Sequence, residues 1–254
     1  MIIDTHSHLN TQPFDTDLED VLRRAEENGV SAVIDVGTDI PTSRKAAGNA
    51  SDPRVYAAAG IHPHEASKAA ESDLSELRGL LGRPRTVALG EIGLDYHYDF
   101  SPPDVQKRWF TLQLNLAREL KLPVIVHVRE AMDDALKLID AVSEGPWQGV
   151  FHCFGGTAEQ ARMVLSRGFH ISFTGVVTFK NFRGWDAVRS VPLHRMVLET
   201  DSPYMTPVPL RGKRNEPAFL PHIADRLAAF IEVSTDELAR STTENAIRLF
   251  GLYP

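Results

Sequence analysis

The chain has 254 residues, a formal net charge of −7, 43% hydrophobic and 24% charged residues. That composition excludes disordered and fibrous classes, and the acidic balance excludes a protein that coats nucleic acid by neutralising phosphates, which needs surplus Lys and Arg. No apolar run approaches the roughly 18 residues of a membrane span, so no membrane partner is expected. Cys153, the only cysteine, has no partner within the chain, in keeping with a reducing, cytoplasmic setting. Met1-Ile2-Ile3 runs straight into Asp4 and His6 with no signal-peptide pattern, so the start is expected to belong to the fold.

Taken in chain order, short runs rich in Val, Ile and Ala alternate with segments of helical period. An apolar run at 2–6 is followed by a helical pattern over 17–28 with Leu18, Val21, Leu22 and Ala25 on one face and Gly29 after it. Runs at 32–36, 55–61 and 86–90 come next, then a long helix over 103–120, a run at 124–128 and a helix over 131–142. Beyond them lie a run at 150–153, a helix opening at Thr157 and ending at Arg167-Gly168, runs at 169–174 and 196–199, and two amphipathic segments at 221–231 and 235–250. Runs that are apolar throughout suit strands buried on both faces of a parallel sheet. Eight of them in a chain of this length predict an α/β fold: one (β/α)8 TIM-barrel domain over residues 1–254, closed by the two C-terminal helices. An open doubly wound sheet would want a Gly-rich phosphate loop after the first strand, and none is there.

The ionisable residues gather at one end of these runs. His6 and His8 close the first and share a strand face at i and i+2. Glu91, His127, His152 and Asp201 each sit at or just past the end of another run. In a barrel all these ends meet at one mouth, where active sites form. Clustering so many polar groups costs stability unless something coordinates them, so the six form a divalent-metal ligand set: histidine favours Zn²⁺ or Mn²⁺, and oxygen-rich coordination permits Mg²⁺. His170, at the start of its strand, His194, before the eighth, and His222, in a helix, are read as structural, and His97 as a rim or surface residue. Cys153 neighbours His152, but adjacent strand residues face opposite ways, so a buried apolar thiol is expected. Arg211-Gly212-Lys213-Arg214 is a compact basic stretch, either a solvated loop or a face for an anionic substrate.

Asp4-Thr5-His6-Ser7-His8-Leu9, Gly60-Ile61-His62-Pro63-His64, Gly90-Glu91-Ile92-Gly93-Leu94-Asp95-Tyr96, His127-Val128-Arg129, His152-Cys153-Phe154-Gly155-Gly156, Glu199-Thr200-Asp201-Ser202-Pro203-Tyr204 and Arg214-Asn215-Glu216-Pro217 together resemble the motifs of the TatD family of metal-dependent hydrolases. The resemblance covers essentially the whole chain in order. It implies a TIM-barrel metallohydrolase of the amidohydrolase-like superfamily with deoxyribonuclease activity and two divalent cations. Carried over by position, His6, His8 and Asp201 would hold one metal, His127 and His152 a second, and Glu91 would bridge them, since a carboxylate has two oxygens to share.

On that reading a metal lowers the pKa of a bound water, and Asp201 orients the water and accepts its proton. His62 and Arg129 would hold phosphate oxygens. The expected partner is a DNA or nucleotide phosphodiester, met transiently and attacked from a strand end, and no stable protein partner is implied. An amide or ester hydrolase of a small molecule, using the same hydroxide, is the competing function, and a binding protein with a structural metal is a third. Glu199 shares strand parity with Asp201, but the sequence does not decide its role.

Overall fold

A computed structural model describes residues 1–143 and 145–253. Eight parallel strands form one sheet in sequence order: β1 (Ile2–Ser7), β2 (Val30–Val36), β3 (Val55–Ala59), β4 (Thr86–Asp95), β5 (Val124–Arg129), β6 (Gly149–Phe151), β7 (His170–Phe173) and β8 (Met196–Leu198). The last strand returns beside the first. Thr5 Oγ1 donates to the Leu198 carbonyl at 2.9 Å, the Asp201 N–H to His6 O at 2.9 Å and the His8 N–H to Ser202 O at 2.7 Å, so backbone bonds draw the sheet into a TIM barrel.

The intervening helices are α1 (Leu18–Glu27), α2 (Ile40–Asn49), α3 (Ser72–Leu81), α4 (Pro103–Leu120), α5 (Met132–Val142), α6 (Ala158–Ser166) and α7 (Trp185–Ser190), followed by α8 (Leu220–Ile231) and α9 (Thr235–Phe250). The expected ones form because their apolar stripe faces the strands: Val21, Leu22 and Ala25 of α1 are buried, as are Trp109, Phe110 and Leu114 of α4. Thr157 caps α6, accepting the Gln160 N–H while Gln160 returns the bond. Three helices not expected from periodicity are also present. In α2, where Pro, Thr, Ser and Gly weaken propensity, Asp39 supplies the start by accepting the Thr42 N–H at 2.8 Å.

Two apolar layers result. One lies between helices and strands; the other fills the barrel with Ile3, Ile34, Tyr56, Ile125, Val150 and Val197. Leu249, Phe250 and Leu252, at the end of α9 and just beyond, pack against this inner layer and cover the end of the barrel away from the ionisable cluster. Of the two C-terminal helices expected to close the barrel, α9 covers this end, and α8 packs against α9 and β8. No described helix is long and apolar enough to cross a membrane.

His170 lies, as expected, at the start of β7. Burial, and after it the nearby charges of Arg195 and Arg248, lower its pKa from 6.5 to about 4. The folded state therefore prefers the neutral ring, whereas the unfolded chain takes up a proton below pH 6.5. Stability from this group is present above that pH and disappears as pH falls towards 4, by an amount on the order of 3 kcal/mol. Urea unfolding at pH 4.5 and pH 7 should show a smaller acid loss for His170→Leu than for the parent chain, and equal losses would contradict the assignment.

Candidate metal centre

Glu91 sits inside β4 rather than past its end, which corrects the expectation from sequence: the strand continues to Asp95. It can do so because Gly93, at φ 145°, lies so close to β5 that a Cβ there would stand 1.9 Å from the His127 carbonyl oxygen. Glu91 is thereby carried into the mouth, and its two oxygens face different imidazoles. Oε2 lies 3.4 Å from His6 Nε2 and 3.5 Å from His8 Nε2. Oε1 lies 2.8 Å from His152 Nε2, 3.0 Å from His127 Nδ1 and 3.4 Å from His62 Nε2. Asp201 Oδ1 stands 3.5 Å from His8 Nε2 and 3.9 Å from His6 Nε2, on the Oε2 side. All six residues expected at the mouth are brought together there.

Where a cation takes the inward nitrogens, the outer neighbour of each ring decides which nitrogen keeps the proton. His8 Nδ1 lies 2.8 Å from the Val36 carbonyl, which can only accept, so Nδ1 is the donor and Nε2 keeps a lone pair facing inward. His127 Nε2 lies 3.0 Å from Asp95 Oδ2 and donates to it, freeing Nδ1 towards Glu91. His152 Nδ1 faces Glu199 Oε1 at 3.6 Å, beyond hydrogen-bond distance, and its Nε2 faces inward. These outer partners present lone pairs to a common point, the arrangement by which proteins orient histidine ligands. His62 is the exception. Its Nδ1 accepts the His64 N–H at 3.1 Å, and burial, opposed by Glu91, lowers its pKa to about 4. A neutral ring with Nδ1 occupied carries its proton on Nε2, so His62 turns a donor towards the cavity although it stands within the same cluster as Glu91 and His127.

Inward lone pairs this close repel unless a cation or proton lies between them. His6 and His8 bring their Nε2 atoms to 3.2 Å, His127 Nδ1 and His152 Nε2 stand 3.3 Å apart, and the His6 and His152 rings stack at 4.0 Å. Donors bound about 2.1 Å from one ion sit roughly 3 to 3.5 Å from each other, so the spacing fits a divalent cation. Groups of three, His6 with His152 and Asp201 and His6 with His8 and Glu91, hold their ligand atoms within 4.8 Å of one another. His6 Nδ1 is buried with no hydrogen-bond partner, consistent with a ring placed for its other nitrogen. When protons rather than a cation occupy the inward nitrogens, burial is outweighed by the His152 and His62 rings and by bonds from His127 and His152, which hold the Glu91 carboxyl well below the usual range. In that protonated condition Asp201 behaves alike, with burial outweighed by the His8 bond and the neighbouring His6 and His152 rings.

Sequence reasoning gave no role to Asp95 and His64 and left Glu199 undecided. Asp95 Oδ2 accepts from His127 and from His64 Nε2 at 2.9 Å, and Glu199 also takes the Cys153 N–H at 2.5 Å. Asp4 was passed over too. Its carboxylate accepts the Thr200 hydroxyl at 2.5 Å and the Thr200 and His6 N–H groups at 2.9 and 3.3 Å, tying the first ligand segment to the last. Only the presence of these acids within the motifs signalled them. Asp95→Asn removes a charged acceptor from His127 and should weaken metal affinity about 10- to 100-fold with little loss of fold; metal titration by calorimetry beside a circular-dichroism melt reads both.

One expectation needs correction, and one open reading is decided. Cys153 lies beyond β6 with φ 45°, half-buried and lining the cavity rather than hidden in the core. Burial pushes its thiol up to about 12, so it stays protonated. The basic stretch turns away from the cavity: Arg214 pairs with Asp17 at 2.9 and 2.7 Å, and Arg211 donates to Thr206 O at 3.0 Å. Arg129 does line the cavity, its guanidinium 4.9 Å above the Tyr98 ring. His97 is exposed and pairs with Glu130 at 2.7 Å.

A (β/α)8 barrel with this His, Glu and Asp cradle at the carboxyl ends of its strands defines a metal-dependent hydrolase. The chain belongs to the TatD-related DNase family, whose profile matches residues 3–251. It is 43% identical over 254 residues to the uncharacterized metal-dependent hydrolase YabD of Bacillus subtilis (strain 168), covering 99% of this chain and 100% of that protein. It is 37% identical over 257 residues to the 3'-5' ssDNA/RNA exonuclease TatD of Cronobacter sakazakii, with 98% and 97% covered. The crystal structure of the TatD homolog YjjV from Escherichia coli K12 superposes with a TM-score of 0.91 at 31% identity, with 99% and 98% covered.

Proposed function

We propose that the protein is a phosphodiesterase that removes nucleotides from a strand end of DNA, with two divalent cations at the barrel mouth. The observation that carries the reading is the division of Glu91: one carboxylate oxygen serves the His6 and His8 side, the other the His127 and His152 side. A residue shared in this way suits a bridging ligand of a two-metal site. Bound cations would activate a water and neutralise charge on the phosphate. His6, His8 and Asp201 hold one side of the site, and His127 and His152 the other.

Asp201 orients the attacking water and takes its proton, for which its ionised carboxyl is suited. His62 donates from Nε2 to a phosphate oxygen, and Arg129, at the rim, offers a fork to another. The mouth, a half-open cavity of about 1130 Å³, fits a strand terminus better than continuous duplex. The exonuclease name of the Cronobacter relative supports a nucleic-acid substrate. Among Mg²⁺, Mn²⁺ and Zn²⁺, imidazole-rich coordination favours the last two.

The deciding experiment strips the protein of metal, reconstitutes it separately with Mg²⁺, Mn²⁺ and Zn²⁺, and offers end-labelled single-stranded DNA alongside a panel of small amides and esters. Stepwise shortening of the DNA with inert amides is the expected result. Turnover of an amide with intact DNA would overturn the proposal.

A further inference from the structure

Tyr98 and Phe100, in the loop after β4, are 43% and 62% exposed although each is a large ring able to bury its area. Their centroids stand 5.4 Å apart with planes only 30° from parallel, so the two exposed rings form one aromatic pair at the rim. His64 supports it from beneath, edge-on to Tyr98 at 5.5 Å and tilted against Phe100 at 4.8 Å, and is itself bonded to Asp95. The surface is thus braced by the same carboxylate that orients His127. Tyr98 and Arg129 line the cavity that contains the metal cluster, and the Arg129 guanidinium lies over the Tyr98 ring at 4.9 Å. A guanidinium attracted to a ring face can still turn N–H groups towards a phosphate.

We infer that Tyr98 and Phe100 form a stacking shelf for a nucleobase of a single strand whose scissile phosphodiester lies at the metal centre, with Arg129 holding a phosphate beside that base. The inference rests on the nucleic-acid reading above and adds a ligand subsite to it. Two ring-to-ring steps, 6.2 Å from His127 to His64 and 5.5 Å on to Tyr98, separate the shelf from the cluster. With roughly 3.4 Å of rise per stacked nucleotide, the base on the shelf belongs to a nucleotide within a few positions of the scissile bond. Stacking tolerates any sequence because every base has a π face. Bases inside a duplex have both faces covered by their neighbours, so the shelf selects single strands. Two rings are too small for a protein interface, which needs about 800 Å² from each partner.

The test measures equilibrium binding of a short fluorescent single-stranded oligonucleotide to the metal-stripped protein, and KM for the same strand after reconstitution. A companion strand carries abasic residues near the scissile end. Tyr98→Ala combined with Phe100→Ala should weaken binding of the intact strand about 5- to 150-fold and collapse the preference for intact over abasic strand. Tyr98→Phe, which keeps the ring, should restore that preference when Phe100 is present. Unchanged binding in the double variant, or an equal loss on intact and abasic strands, overturns the shelf. Ring-dependent binding without hydrolysis would leave the shelf standing and remove the catalytic proposal; hydrolysis indifferent to both rings would do the reverse.

Discussion

Glu91→Gln should lower turnover by at least about 10³-fold and abolish binding of one equivalent of metal. Glutamine matches the carboxylate in size but offers a neutral carbonyl oxygen and an N–H₂ group that cannot ligate a cation. Because Oε1 and Oε2 face separate pairs of imidazoles, one amide orientation spoils the His6 and His8 side and the other the His127 and His152 side. Loss of a metal's charge stabilisation is a matter of several kcal/mol. Metal analysis after exhaustive dialysis, together with single-turnover rates, reads the two effects. A variant that kept full metal content and rate would remove Glu91 from the centre of the site.

Asp201→Asn should reduce kcat by about 10²- to 10⁴-fold while the melting temperature stays close to that of the parent. Asp201 adopts a left-handed backbone, φ 56°, and asparagine is among the few residues that accept this conformation without strain. Its N–H donates to His6 O from the main chain, a bond the substitution leaves in place. What is lost is the charge and the basic oxygen beside His8, so the defect should fall on turnover and on the affinity of the His6 and His8 side. Proton inventory across pH separates the two: a missing base suppresses the rate at saturating metal, and mere metal loss does not. Retained full rate in metal-saturated Asp201→Asn would refute the base assignment.

The barrel was legible because each strand repeats one signal, a short apolar run ended by a polar residue, and the eight repeats leave little freedom in topology. The inward ligands were legible for the same reason, since strand ends in a barrel converge. Boundaries were less so. At Gly90 the apolar run meets a charged residue, and nothing local states that β4 continues through Glu91 to Asp95, because what allows it is the close approach of Gly93 to β5. Asp95 escaped assignment since its importance lies in holding His127, and Glu199 since it faces His152 and accepts the Cys153 N–H; both depend on partners far away in sequence. The basic stretch stayed open for the complementary reason: its charges are plain in sequence, but the carboxylate that claims Arg214, Asp17, comes from the other end of the chain.

Barrel closure also sets when activity can arise. The ligands of the His6, His8 and Asp201 side come from opposite ends of the sequence, and Asp4 to Thr200, His6 to Asp201 and His8 to Ser202 are the bonds that hold them in register. Contacts of such high sequence separation form late, because the entropy of bringing the ends together precedes their reward. A nascent chain still lacking its last quarter has no complete cation cradle, so a complete metal site, and the hydrolase activity that depends on it, waits until synthesis has passed Asp201 and the two ends have met.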